Sequence, residues 1–151
     1  MQSSARLPAL PRRLCPSPTT AGILLGSDPR HVAVARRWAA RSSRARPGLA
    51  DRISLAASEL VTNAQRHSAS GGTGGTVRVE LLRTRLHLEL RVTDNGPRPG
   101  HDIDFPRVTD PADPLRIGGH GLRLVESLSM YWDWLGHAGG PLTVRAMFPP
   151  S

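Results

Sequence analysis

The sequence predicts a two-layer α/β sandwich, with one layer of helices lying on one mixed sheet. Three observations carry this. Two stretches of helical period lie within residues 29–67, two strand-period runs follow within 77–92, and a glycine-rich turn then opens another helix before two last strands. Helices and strands in that order can share one core only as stacked layers. The length of 151 residues suits a single core of this kind.

Residues 1–20 hold four prolines, three arginines and no acid, which predicts a disordered basic leader, with the folded domain over 21–151. Ala21 to Leu25 is a short apolar run, read as the first strand. Ser27-Asp28-Pro29 is a helix start, a capping side chain followed by proline in the first turn. Val32, Ala35, Trp38 and Ala39 then share one face, and Arg36, Arg37, Arg41 and Arg44 fall mostly on the other. Pro47-Gly48 ends that helix. From about Leu49 to His67 the apolar residues Ile53, Ala56, Ala57, Leu60, Val61 and Ala64 recur at spacings of three and four, the mark of an amphipathic helix. Ser70 to Gly75 is a break. Val77, Val79 and Leu81, then Leu86, Leu88, Leu90 and Val92, alternate with polar residues, which predicts two strands joined near Arg83-Thr84-Arg85. Residues 97–117 are rich in proline and aspartate and have no period, as expected of a functional lid or a disordered segment. A helix from Gly121 to about Met130 and strands near 131–135 and 142–148 complete the chain.

Composition excludes several classes. Apolar residues make up 38%, and the longest N-terminal apolar run is too short for a signal-peptide core or a membrane span. Cys15 is the single cysteine, so an internal disulfide is excluded. A cytoplasmic location is the expectation. All twenty basic residues are arginine, and the net charge of +8 is uneven. Residues 1–48 hold nine arginines and one acid, whereas 49–151 hold eleven of each. The basic third is suited to an acidic protein partner or nucleic acid, or is simply a solvated tail and helix face. His31, His87, His101 and His137 have no metal-ligand spacing, and Trp38, Trp132 and Trp134 are read as core.

Three stations carry candidate chemistry. Glu59 and Asn63 are four apart, so they stack on one side of the second helix, with His67 one turn on. A carboxylate and a carboxamide so aligned suit a base and a neutral oxygen ligand. Magnesium needs only one or two protein oxygens besides phosphates and water. The plain alternative is a solvent-facing strip. Asp94-Asn95-Gly96 follows a strand. A strand-terminal carboxylate can accept from an exocyclic amine such as adenine N6, and Gly96 lets a flat base approach, although Asn-Gly is equally a hairpin signal. Gly118-Gly119-His120-Gly121 opens into a helix, and free N–H groups there form an anion site, unless the loop is merely mobile.

The run Glu59-Leu60-Val61-Thr62-Asn63-Ala64 with Arg66-His67, followed by Gly119-x-Gly121-Leu122-x-Leu124-Val125, resembles the Bergerat-fold (GHKL) ATPases. These form the superfamily of DNA gyrase, MutL and histidine kinases. The small single-domain branch is nearest, the anti-sigma factor serine/threonine kinases of the RsbW and SpoIIAB type. The resemblance covers about residues 20–148. It implies ATP and Mg²⁺ as ligands, with Glu59 as general base, Asn63 as metal ligand and Asp94 as adenine contact. Gly96 would lie near the base, and Gly119, His120, Gly121 and Leu122 would cradle phosphates. Thr143 matches a threonine that supports the adenine pocket. The chain has no lysine, so a cationic phosphate contact falls to arginine, and Arg116 is the best placed. The family's second box reads Asp-x-Gly-x-Gly. Here Pro97, Arg98 and Pro99 follow Gly96, and the next glycine is Gly100.

The function this implies is an ATP-binding regulator, an anti-sigma factor that phosphorylates a serine or threonine of an antagonist protein. Its partners would be a sigma factor, an anti-anti-sigma protein or both, with homodimerisation left open. A non-catalytic, nucleotide-gated protein-binding module is the alternative. A basic nucleic-acid-binding regulator ranks last, because the N-terminal third has only Trp38 as an aromatic.

Overall fold

The computed structural model describes residues 9–100, 120–137 and 139–150. In chain order the elements are β1 (Arg12–Ser17), β2 (Thr20–Gly26), α1 (His31–Ser43), α2 (Pro47–His67), a 3₁₀ turn (Ala69–Gly71), β3 (Thr76–Arg83), β4 (Leu88–Thr93), α3 (His120–Leu128), β5 (Tyr131–Gly136) and β6 (Leu142–Phe148). The strands form one sheet in the order β1-β2-β3-β4-β6-β5. The α/β sandwich expected from the sequence is present.

Alternation sets what the sheet buries. Val79 pairs with Val92, Leu81 with Leu90, and Leu90 with Ala146, all on the face covered by helices. Leu25, Ile53, Leu60, Leu90, Val125 and Phe148 are almost wholly removed from water. Each large apolar side chain so buried contributes about 1.5–3 kcal/mol. The periodic residues of α2 (Ile53, Ala56, Ala57, Leu60, Val61 and Ala64) are all in this core, as are Ala35, Trp38 and Ala39 of α1. The small residues on α2 let it lie close to the sheet and to α1.

Gln65 joins the second helix to the end of β2 and the loop that leads into α1. Its buried Nε2 donates to the carbonyls of Gly26 and Asp28, each at 3.0 Å. Asp28 in turn accepts from the Arg30 N–H at 2.9 Å and grips the Arg30 guanidinium. Those bonds, the side-chain one first, hold its carboxyl below the usual range.

The structure corrects three expectations. The leader expected over 1–20 contains β1, which pairs antiparallel with β2 from Arg12 opposite Leu24. Its prolines misled the reading because an edge strand tolerates them: Pro16 has no N–H to offer a neighbour and needs none there. Every ladder among the described residues is antiparallel, where a mixed sheet was expected. β4 and β5 do run parallel, but β6 returns between them and pairs with both. The β3–β4 turn lies at 84–87, one residue later than read, and takes in Leu86. The Thr84 hydroxyl accepts from the N–H groups of Leu86 and His87 at 3.2 and 3.1 Å, and the Thr84 N–H donates to the His87 carbonyl at 3.0 Å. Leu86 is therefore an exposed turn residue and not part of the strand.

Candidate nucleotide site

Three elements meet at one end of the sandwich: the C-terminal half of α2, the end of β4 and the start of β6. The helix fixes the first pair. Ser54 and Gln65 sit on the α1 side of α2, where the Ser54 hydroxyl donates to the Arg36 carbonyl at 3.0 Å. At 100° per residue, Glu59 and Asn63 fall on the opposite margin of the buried stripe of α2, a helix that also packs against α3. Both are half-buried. Among the described residues neither side chain has a hydrogen-bond or ion-pair partner. His67, one turn on, is exposed.

The second station is tightly built. Asp94 accepts at Oδ1 from the N–H groups of Gly96 (2.7 Å) and Leu142 (3.1 Å), and its own N–H donates to the Leu142 carbonyl at 2.9 Å. Oδ1 is thus used to join β4 to β6. Among the described residues Oδ2 accepts nothing, so the carboxylate is aimed with one oxygen free. Gly96 has φ of +85°, and a Cβ there would lie 3.0 Å from the Gly140 carbonyl oxygen, so the turn requires glycine. One step back along β4, the Thr93 hydroxyl meets the Thr143 hydroxyl at 2.8 Å across the β4–β6 ladder. Thr143 is therefore held one step along the ladder from the Asp94 turn.

The third station is covered in part. Arg116 and Gly119 lie outside the described residues. His120 and Gly121 are the first two residues of α3. Leu122 is buried in the core at 7% exposure, so its side chain faces away from any phosphate and only its backbone is available. No acid occupies the first turn of α3, which leaves the positive end of its dipole without a competing carboxylate there.

Residues 25–145 match the family model of the histidine kinase-like ATPase domain. The chain belongs to that family. It is 35% identical over 92 residues to the serine-protein kinase RsbW of Listeria monocytogenes serotype 4a (strain HCC23), covering 54% of this chain and 57% of the relative. The RsbW of Listeria innocua serovar 6a is 34% identical over the same length. That of Oceanobacillus iheyensis is 27% identical over 85 residues, 50% of this chain and 51% of the relative. The match spans a little over half the length of these relatives.

In this member of the histidine kinase-like ATPase family, the site leans on residues that the sequence reading passed over. Asn95 is a brace: its Oδ1 accepts from the Thr76 N–H at 2.7 Å, and its N–H donates to the buried Ser70 hydroxyl at 2.9 Å. The Ala69 N–H donates to the Gly96 carbonyl at 2.9 Å. Arg98, which stands where the family pattern has its second glycine, caps α2. Its Nε donates to the Ser68 carbonyl at 3.0 Å, and its Nη2 to those of Arg66 (3.0 Å) and Gln65 (3.3 Å). The Ser68-Ala69-Ser70 segment was the legible signal, since hydroxyl residues just past a helix end serve as local acceptors. Among the described residues no helix is long and apolar enough to cross a membrane.

Proposed function

We propose that this chain binds ATP with magnesium and transfers the γ-phosphoryl group to a serine or threonine hydroxyl of a protein partner, acting as an anti-sigma factor kinase. The observation that supports it most is the Asp94 carboxylate, aimed by two backbone N–H groups with Oδ2 left to accept. An adenine N6 amine is a donor matched to that oxygen, whereas the O6 of guanine is not. The Thr93–Thr143 hydroxyl pair lies alongside.

Asn63 suits magnesium, a hard cation satisfied by one amide oxygen when phosphates and water supply the rest. The phosphates that the cation bridges would supply further oxygen ligands. Bound there, the cation would neutralise charge on the phosphate oxygens. Glu59, one turn before Asn63, accepts the proton of the attacking hydroxyl. The hydroxyl oxygen bonds to the γ-phosphorus, the bond to the β–γ bridging oxygen breaks, and ADP leaves. The N–H groups at the start of α3 stabilise charge on the transferring group. The similarity to the RsbW kinases supports a protein as acceptor.

The test is incubation with γ-labelled ATP, Mg²⁺ and candidate antagonist proteins from the same genome. Label on a serine or threonine of one of them is the expected result. ATP and sigma-factor binding without transfer to any of them replaces this reading with the nucleotide-gated binding module.

A further inference from the structure

At the far end of the sheet from Asp94, a groove of about 410 Å³ runs between the β1–β2 hairpin and the C-terminal half of α1. It exists because β1, the outermost strand, overhangs the helical layer. Ala21 and the edge of Trp38 lie in it, Arg13 and Leu14 come from β1, and Arg41 and Arg44 from the end of α1. Among the described residues no carboxylate lines it, and Glu80, which pairs with Gly22, alternates onto the opposite face of the sheet from the buried Val79 and Leu81.

The guanidinium groups of this groove have no carboxylate partner among the described residues. Of the arginines between residues 9 and 48, only Arg30 has a carboxylate partner among the described residues, Asp28. The carbonyl end of α1 would ordinarily place negative charge beside the groove. Here it is covered: Arg83 Nη2 donates to the carbonyls of Ser43 and Ser42. Its guanidinium offsets the one local feature that would repel an anion.

We infer that this groove is a docking site for an acidic, extended segment of a protein partner. Guanidinium groups from two sides of a trough match carboxylates bidentately. The apolar surface of the half-buried Ala21 and the exposed Pro18 takes interleaved apolar side chains. Among the described residues the outer edge of β1 pairs with no strand, and it offers main-chain groups to an extended chain. Nucleic acid fits less well, because Trp38 is 6% exposed and presents no ring face for a base to stack on. The inference rests on the proposed function only in taking the partner to be a protein, and its test needs no nucleotide.

The probe is a short fluorescein-labelled peptide alternating glutamate and leucine, followed by anisotropy at low and physiological salt. The glutamine–leucine peptide and a single-stranded DNA oligonucleotide are comparators. Wild type should bind the acidic peptide, weaken with salt, and ignore the glutamine version. The variant Arg13→Glu with Arg41→Glu should lose about tenfold or more in affinity, as expected for close charge pairs at an interface. The same net-charge change at Arg36 and Arg52, both exposed and outside the groove, should leave the peptide affinity within about twofold, since distant surface charges are screened. Far-UV circular dichroism and ATP affinity, unchanged in both variants, separate docking from folding and from the nucleotide site. Arg13→Gln with Arg41→Gln repeats the test without adding negative charge. Equal losses in the groove and control variants would overturn the inference, as would oligonucleotide binding that the groove variant abolishes while peptide binding is absent.

Discussion

Arg98 holds the carbonyl of Ser68 at 3.0 Å, and through it the end of α2 is tied to the segment that follows the Asp94 turn. The last carbonyls of a helix have no partner of their own, and a guanidinium is among the better groups to supply one, because it brings both donors and positive charge to the negative end of the dipole. The same helix carries Glu59 and Asn63. Two of the three stations are therefore joined by one side chain, at a position where the family pattern has a glycine with no side chain to offer.

Arg98→Ala should lower stability by about 1–2 kcal/mol, below the full value for charged hydrogen bonds because the group is half-exposed. A domain of this size should then melt roughly 2–8 °C earlier. Arg98→Lys should recover little, since one ammonium cannot reach three carbonyls in the geometry of a fork. Thermal melts followed by circular dichroism measure both. An Arg98→Ala protein that melts with wild type would show that the cap contributes nothing.

The Asp94 turn makes a prediction about base choice. Wild type should bind ATP more tightly than GTP, because a free carboxylate oxygen accepts from N6–H₂ and repels O6. Asp94→Asn keeps an oxygen for the N–H groups of Gly96 and Leu142, so the β4–β6 join persists. It replaces the free acceptor by a donor, and ATP affinity should fall by about ten- to a hundredfold, the value of a hydrogen bond to a charged group. Calorimetry with both nucleotides decides it. Equal affinities for the two in wild type would remove Asp94 from the adenine contact.

Glu59 and Asn63 should separate rate from binding. Removing Glu59 takes away a proton acceptor and few ground-state contacts, and general-base catalysis contributes about two to four orders of magnitude. Glu59→Ala should keep its ATP affinity while label transfer falls within that range. Asn63→Ala should lose magnesium-dependent affinity as well as rate. Both residues lack a partner among the described residues, so neither change should disturb the fold. If Glu59→Ala transfers phosphate at the wild-type rate, another group is the base.

The parts of this molecule legible in the sequence are those set by periodicity. The α2 stripe is an example: Ile53, Ala56, Leu60 and Ala64 could only be one buried face, and that placed Glu59 and Asn63 beside it. The β3–β4 hairpin was legible too, but not its turn, because Leu86 continues the alternation in sequence while the Thr84 hydroxyl bends the chain in space. What periodicity does not encode is long-range pairing. That β6 inserts between β4 and β5 follows from filling the space beside β4. Arg98 capping a helix some thirty residues earlier follows only from where the chain returns. Asn95 read as half of an Asn-Gly turn, and its side chain instead braces the start of β3.

Glycine provides the last prediction, because two positions in this chain demand opposite outcomes from the same substitution. Gly96 sits at φ of +85°, where a Cβ would lie 3.0 Å from the carbonyl oxygen of Gly140 and 3.1 Å from its carbon. Gly96→Ala therefore meets both an unfavourable backbone region and rigid main chain that cannot move aside. The cost should be about 1–3 kcal/mol. It falls on the turn whose N–H holds the Asp94 carboxylate, so ATP affinity should drop along with the melting temperature. Gly48, in the first turn of α2, has nothing within 4 Å of a Cβ and no positive φ. Gly48→Ala should stabilise by about 0.4–1 kcal/mol, by restricting the unfolded chain alone, and leave ATP affinity unchanged. Melts and calorimetry on the pair test this together. A Gly96→Ala protein that binds ATP like wild type would show that the turn's backbone geometry does not set the pocket.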